Sequence, residues 1–219
     1  MNTLKINEIF YSIQGEGYRK GTANLFIRLA GCTASKACAN RGIVCDTDYV
    51  DYQEYTIYQL IDVVEHYKNT YGNKNIIWTG GEPTDQLTED IFKEFHNRKY
   101  YQSIECSGIR VPQAPFRPKN DYPYKNLDFV SLSPKLKDEQ IIKIWNNYSI
   151  DEVRVVLKKG EVISDLLLDN LEPIFGFYVS PHFNDEKPDW DNIQWCIDYV
   201  KANPKLILSV QEHKFLGVR

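Results

Sequence analysis

Cys32, Cys38 and Cys45 fall within fourteen residues, three of the chain's five cysteines. Thiolates in a cluster suit soft-metal chemistry, and a cubane iron–sulfur cluster held entirely by protein takes four of them. Three thiolates would leave one iron open to a small-molecule ligand. A structural zinc site usually has four ligands, paired two to four residues apart. No such pair occurs here, and the histidine nearest in sequence is His66. On spacing, an iron–sulfur site, a zinc site and three unrelated thiols all remain open. Cys196 shares a helical face with Trp190, Ile193, Ile197 and Val200 and reads as core. Cys106, at a strand end, stays open as a fourth ligand.

Five other stretches carry chemistry. Gln14 to Thr22 (QGEGYRKGT) is a loop with three glycines. Arg28 stands alone in the apolar strand NLFIRLA; a charge there calls for an anionic partner, either a ligand or a buried protein carboxylate. Gly80-Gly81-Glu82-Pro83 follows an apolar strand. Its glycines would let a backbone approach a ligand and its carboxylate accept from an ammonium, unless it is a plain strand-to-helix turn. Glu105-Cys106-Ser107-Gly108 and Ser133-Pro134-Lys135 close two further strands. For Lys135 the ordinary alternative is an exposed lysine, and for Tyr178 a core aromatic.

These residues must be positioned by regular elements. Strands are expected at Leu4–Ile13, Asn24–Ala30, Asn75–Thr79, Gln102–Glu105, Asp128–Ser133, Glu152–Leu157, Phe175–Val179 and Leu206–Val210. Helices are expected at Thr56–Lys68, after GGEP with Leu87, Ile91, Phe92 and Phe95 on one face, and at Asp138–Tyr148, Val162–Asn170 and Asp189–Lys201. Thr56 with Gln59 forms a capping box. Gly31–Tyr49 reads as irregular, Cys106–Asn126 with its four prolines as a long surface loop, and Gln211–Arg219 as a polar tail. Strands alternating with helices, and apolar rather than alternating internally, predict a parallel sheet. These strands come with only five helices, fewer than a closed eightfold barrel needs, so an incomplete TIM-like α/β barrel is expected. Ligands gather at the carboxyl ends of strands in such folds, where all the unusual loops fall.

With 219 residues, 42% hydrophobic and 26% charged, the chain fits one globular domain over residues 1–219. Its net charge of −4 argues against non-specific nucleic-acid binding. Arg117, Lys119 and the stretch Tyr122–Lys125 make only a small local patch that reads as a solvated loop. No long apolar run or secretory leader is evident, so no membrane partner and a cytoplasmic location are expected. An odd cysteine count in a reducing compartment makes a disulfide framework improbable.

Cysteines after the first strands followed by GGEP resemble the radical S-adenosylmethionine superfamily. Taken together, IFYSIQGEG, FIRLAGC, CDTDY, TGGEP, SPK and the terminal HKFLGVR resemble the 7-carboxy-7-deazaguanine synthase family over nearly the whole length. The resemblance implies a [4Fe–4S] cluster on Cys32, Cys38 and Cys45, with S-adenosylmethionine on the open iron and Mg²⁺ at Thr47, near Asp46. It implies hydrogen abstraction from 6-carboxy-5,6,7,8-tetrahydropterin, ring contraction and loss of ammonia, giving 7-carboxy-7-deazaguanine on the route to queuosine. Substrate contacts would come from Ile13, Gln14, Gly15, Glu16, Arg28, Thr79 and the tail ending at Arg219. Cofactor contacts would come from Gly81, Glu82, Glu105, Ser133, Pro134, Lys135, Tyr178, Val179, Ser180 and Pro181. A one-electron donor and a homodimer are implied too. Competing readings are a glycyl-radical or nucleotide-reductase activating protein, which QGEG and CDTDY oppose, and a non-catalytic zinc module.

The sequence departs from the family pattern in places. Five residues separate Cys32 from Cys38 and six separate Cys38 from Cys45, whereas the family spaces its cysteines by three and two. Val44 replaces the aromatic often found before the last cysteine, Cys106 the threonine of E-T-[NS]-G, and Ser180 the glutamine often preceding the proline.

Overall fold

The structure is a computed structural model, described here for residues 3–40, 42, 48–110, 126–183 and 187–218. Its strands are β1 (Thr3–Ile13), β2 (Ala23–Leu29), β3 (Gln53–Thr56), β4 (Asn75–Gly80), β5 (Tyr101–Cys106), β6 (Phe129–Leu132), β7 (Glu152–Leu157), β8 (Phe177–Pro181) and β9 (Leu206–Leu208). They form one sheet in the order β3-β1-β2-β4-β5-β6-β7-β8-β9. From β2 to β9 neighbours run parallel, whereas β1 pairs antiparallel with both β2 and β3. The order ends in two different strands, so among the described residues the sheet is open. The incomplete parallel barrel is present, with an antiparallel edge that sequence patterning did not anticipate.

The helices are α1 (Ser35–Asn40), α2 (Ile57–Tyr71), α3 (Glu89–Asn97), α4 (Asp138–Trp145), α5 (Asp165–Asn170), α6 (Trp190–Ala202) and α7 (Glu212–Leu216). In α2 the Thr56 hydroxyl accepts from the Gln59 N–H at 3.3 Å and the Gln59 side chain accepts from the Thr56 N–H at 2.9 Å. Gly72 closes it in the left-handed region at φ 70°. Both devices satisfy backbone groups that a helix end leaves unpaired. The cysteine stretch is not wholly irregular, since α1 crosses it, and the tail carries α7. The proline-rich segment 111–125, with Arg117, Lys119 and Tyr122–Lys125, lies outside the described residues.

Strand alternation separates two faces. One face packs Ile27, Leu29, Trp78, Ile104, Val130, Leu132, Val153 and Val179 against Leu60, Val64, Phe92, Phe95, Ile141, Trp145 and Cys196 from the helices. Trp78 sits at its centre, edge-on to Phe92 and Phe95 at 6.4 and 5.3 Å, and its indole N–H donates to Gln102 at 3.1 Å. The opposite face carries polar groups: Asn24, Arg28, Thr79, Ser103, Glu105, Ser131, Glu152 and Arg154. The strands are largely apolar, and their polar residues share one face because they fall on alternate positions, interleaved with Phe26, Ile77, Phe129 and Val156. Among the described residues no helix is long and apolar enough to cross a membrane.

Trp78→Ala removes the centre of the helix-covered core and strands the Gln102 carbonyl. Urea denaturation is expected to show a loss of about 3–5 kcal/mol; a loss below about 1 kcal/mol would place the core elsewhere.

Candidate active site

The loop after β1 is closed by its own backbone: Gln14 N–H donates to Thr22 C=O at 2.8 Å and Gly21 N–H to Gln14 C=O at 2.7 Å. It folds under the polar face. Tyr18 stacks on Phe175 with ring centroids 3.7 Å apart, and Arg19 donates to Ser103 and Asn24 while lying over the Tyr101 ring. Gly17 sits at φ 68°, where a Cβ would meet the Glu152 carboxylate at 2.4 Å. A Cβ on Gly15 would strike His213 at 2.2 Å, and Glu212 N–H donates to Gly15 C=O at 3.0 Å. These glycines let the loop be clasped between β7 and α7. The tail thus folds back over the loop, as expected, although Arg219 itself lies outside the described residues.

Above this loop opens a cavity of about 560 Å³. Its walls include Ile13, Gln14, Gly15, Glu16, Arg28, Thr79 and Glu105, which brings six residues expected at substrate together with one expected at cofactor. Phe10 and Phe26, stacked 5.0 Å apart on paired β1 and β2, add an aromatic wall; His213, Lys214, Gly217 and Val218 close the rim. Arg28 has its protein carboxylate: Nη1 lies 3.3 Å from Glu8. Its Nε is buried with no hydrogen-bond partner among the described residues, so the guanidinium keeps capacity for a second anion.

Glu105 anchors the far wall. It accepts from Gln14 Nε2 at 2.8 Å, from the Thr79 hydroxyl at 2.9 Å and from Arg154. Burial alone would raise its pKa, but the Arg154 charge, with hydrogen bonds from Arg154, Gln14 and Thr79, outweighs burial and holds the carboxyl below the usual range. Arg154 on β7 is buried, and it also meets Glu152 at 2.9 Å and Glu16 at 3.3 Å. Sequence reading missed it. The signal was the one that singled out Arg28, a lone arginine in an apolar strand, here EVRVVL.

At the neighbouring rim, Gly80 and Gly81 serve the protein's own backbone. A Cβ on Gly80 would lie 2.3 Å from the Leu29 carbonyl oxygen, and one on Gly81 would lie 1.8 Å from that of Gly31. Gly81 N–H donates to Leu29 C=O at 2.9 Å, Glu82 N–H to Gly31 C=O at 3.0 Å, and Gly31 N–H to Tyr49 C=O at 2.8 Å. The start of the cysteine loop is latched to the GGEP turn. Glu82 is fully buried, and its four hydrogen bonds come from the N–H and hydroxyl of both Thr84 and Ser107. That fills the acceptor capacity of a carboxylate.

Cys32 and Cys38 are partly exposed, Cys32 just before α1 and Cys38 within it. Cys45, Asp46 and Thr47 lie outside the described residues. Cys106 is buried in the helix-side core, where burial and then the Glu82 carboxylate push its thiol well up. Cys196 is buried too, its thiol pushed by burial to about 11. Neither is poised as a ligand. Lys135 donates to the Ser133 hydroxyl at 2.8 Å, and Pro134 and Lys135 line a second cavity of about 640 Å³ beside Ala37 and Asn40 of α1. Tyr178, Val179, Ser180 and Pro181 are buried in β8 and line neither cavity. Tyr178 is pushed up by burial and then by Glu152, and the Ser180 hydroxyl is buried without a partner.

Fold and rim together define a trimmed, open α/β barrel of the radical S-adenosylmethionine kind. The crystal structure of QueE from Escherichia coli superposes with a TM-score of 0.68 at 22% identity, over 95% of this chain and 93% of that one. No family model matches the chain. The 7-carboxy-7-deazaguanine synthase of Bacteroides thetaiotaomicron is 32% identical over 216 residues, 98% of each protein. That of Neisseria meningitidis is 32% identical over 223 residues, 98% of this chain and 93% of the relative. The chain belongs to the 7-carboxy-7-deazaguanine synthase family. That membership sets aside the activating-protein and zinc-module readings.

Gly81→Ala must push the cysteine loop off the sheet. The expected cost is roughly 1–3 kcal/mol, the range for overpacking, with faster alkylation of Cys32 in the cluster-free protein. Unchanged stability and thiol reactivity would show that the latch does not hold the loop.

Proposed function

We propose that this chain converts 6-carboxy-5,6,7,8-tetrahydropterin to 7-carboxy-7-deazaguanine with loss of ammonia, in 7-deazapurine biosynthesis. The observation that carries this reading is the cavity beside the cysteine rim. An aromatic wall suits a fused ring, and the unpartnered Nε of Arg28 suits a substrate carboxylate. A [4Fe–4S] cluster with S-adenosylmethionine on its open iron supplies the radical that takes hydrogen from the substrate. Cys32, Cys38 and Cys45 would hold the cluster; the two described thiols fit, being partly exposed at the carboxyl edge of β2. Thr47, with Asp46 near it, would bind Mg²⁺.

Ile13, Gln14, Gly15, Glu16, Arg28 and Thr79 line the substrate cavity, and Arg219 would complete its rim. Gly81, Glu82, Glu105, Ser133, Pro134, Lys135, Tyr178, Val179, Ser180 and Pro181 would surround the cofactor. Glu82 accepts from a ligand only if a Thr84 or Ser107 hydroxyl turns away, so its main service is to fix the turn. The tail segment Gln211–Val218 limits the access of water to the cavity. The chain would work as one domain, in the cytoplasm, as a homodimer, with a separate one-electron donor.

Anaerobically reconstituted protein supplied with S-adenosylmethionine, reductant and the carboxypterin should release 7-carboxy-7-deazaguanine. Arg28→Met should keep its iron and lose roughly 10- to 100-fold in kcat/KM, as expected for one charged hydrogen bond. An intact cluster that yields no 7-carboxy-7-deazaguanine would overturn the assignment.

A further inference from the structure

Arg154 is a buried cation that joins four parts of the site. Its Nε donates to the Ser131 hydroxyl on β6 at 2.6 Å and lies 2.9 Å from Glu152 on its own strand. Its Nη1 lies 3.3 Å from Glu16 in the loop, and its Nη2 donates to Glu105 at the end of β5. The Glu152 carboxylate is occupied in turn by the Tyr18 N–H at 2.7 Å. One guanidinium thus ties the loop to the strand ends that floor the cavity.

Glu105 lines the cavity and has acceptor capacity to spare. A carboxylate offers about four acceptor positions. On Glu105, Oε1 uses two, for Gln14 and Arg154, and Oε2 uses one, for Thr79. The residue lines the cavity, and Oε2 keeps one acceptor position that no donor among the described residues fills. Glu82, by contrast, has all four positions filled.

We propose that Arg154 is a positioning residue: its guanidinium fixes the Glu105 carboxylate as the acceptor for a ring N–H of the substrate. The proposal rests on the pterin reading above and adds to it the group that recognises the ring's donor edge. It places Glu105 at the substrate rather than only at the cofactor.

Only an ionised Glu105 is a pure acceptor. The charged groups around it are Arg154 and Glu152 from β7, Glu16 and Arg19 from the loop, Arg28 and Glu8 across the cavity, and His213 and Lys214 at its rim. Burial pushes Glu105 up, and the charge of Arg154 is what chiefly holds it down. Without that charge burial acts unopposed and the carboxyl titrates higher. Binding that needs the carboxylate then weakens as pH falls and recovers as pH rises.

The test measures binding of the carboxypterin to the reconstituted enzyme with S-adenosylmethionine but no reductant, from pH 5.5 to 9, so that no turnover intervenes. In Arg154→Met the acidic limb of binding should move up by roughly one to three pH units. Binding should be roughly tenfold or more weaker near pH 6 and approach wild type near pH 9. Glu105→Gln should bind weakly with no such limb. Arg154→Lys keeps the charge but loses the fork, so its limb should fall between wild type and Arg154→Met with intermediate affinity. A loss in Arg154→Met that is the same at every pH, or wild-type binding throughout, overturns the proposal. Should that variant not fold, Arg154→Lys decides: a limb above wild type's supports the proposal, and a pH-independent loss or unaltered binding overturns it. Wild-type enzyme that does not bind the carboxypterin would count against the pterin reading itself; wild-type binding without these limb shifts would count against Arg154 alone.

Discussion

The backbone contact between the GGEP turn and the start of the cysteine loop is the constraint on which the site depends. Parallel pairing sets Leu29 opposite Gly80, so the chains leaving β2 and β4 emerge side by side. They can touch only because neither Gly80 nor Gly81 carries a Cβ. The hydrogen bonds that result hold Gly31, and with it Cys32, at the carboxyl edge. Without that contact a soft-metal site would hang on a loop six residues longer in its spacing than the family's. Buried Glu82 braces the turn from below through Thr84 and Ser107, so the rim from β2 to β5 behaves as one unit.

The other half of the site is an electrostatic arrangement. Burying charges is costly unless each is paired and hydrogen-bonded. The polar face of the sheet meets that condition by concentrating Glu16, Glu105 and Glu152 around one arginine. Removing Arg154 leaves three carboxylates without their shared cation, a larger loss than at surface pairs such as Lys159–Asp191. Burial would lower the Arg154 pKa, but the three carboxylates outweigh it, so the guanidinium stays charged throughout. The cavity therefore has two distinct ends. Arg28 offers an unused donor at one, and Glu105 an unused acceptor at the other.

Much of this was legible from residue types. The apolar strands, the capped α2 and the rim loops all follow from periodicity and from Gly, Pro and Thr chemistry. Gln14, Glu16, Arg28 and Thr79 line one cavity, a grouping to which only the family resemblance pointed. The rest depended on tertiary context. The β3 stretch QEYT is four residues long and is a strand only because β1 pairs with it. The six residues of α1 are too few to signal a helix by themselves. The glycines of the 14–17 loop and the GGEP turn pointed to a ligand, yet they meet Glu152, His213 and the Gly31 carbonyl. Arg154 escaped notice because its partners lie on three other segments, which no local pattern brings together.

The central claim is that three widely spaced thiolates leave one iron of a cubane cluster open to S-adenosylmethionine. Electron paramagnetic resonance of the reduced, reconstituted protein tests it directly. A signal from one reduced [4Fe–4S] cluster per chain that changes its g-values on adding S-adenosylmethionine is the predicted result. A signal insensitive to S-adenosylmethionine, or bound zinc in place of iron, would contradict it.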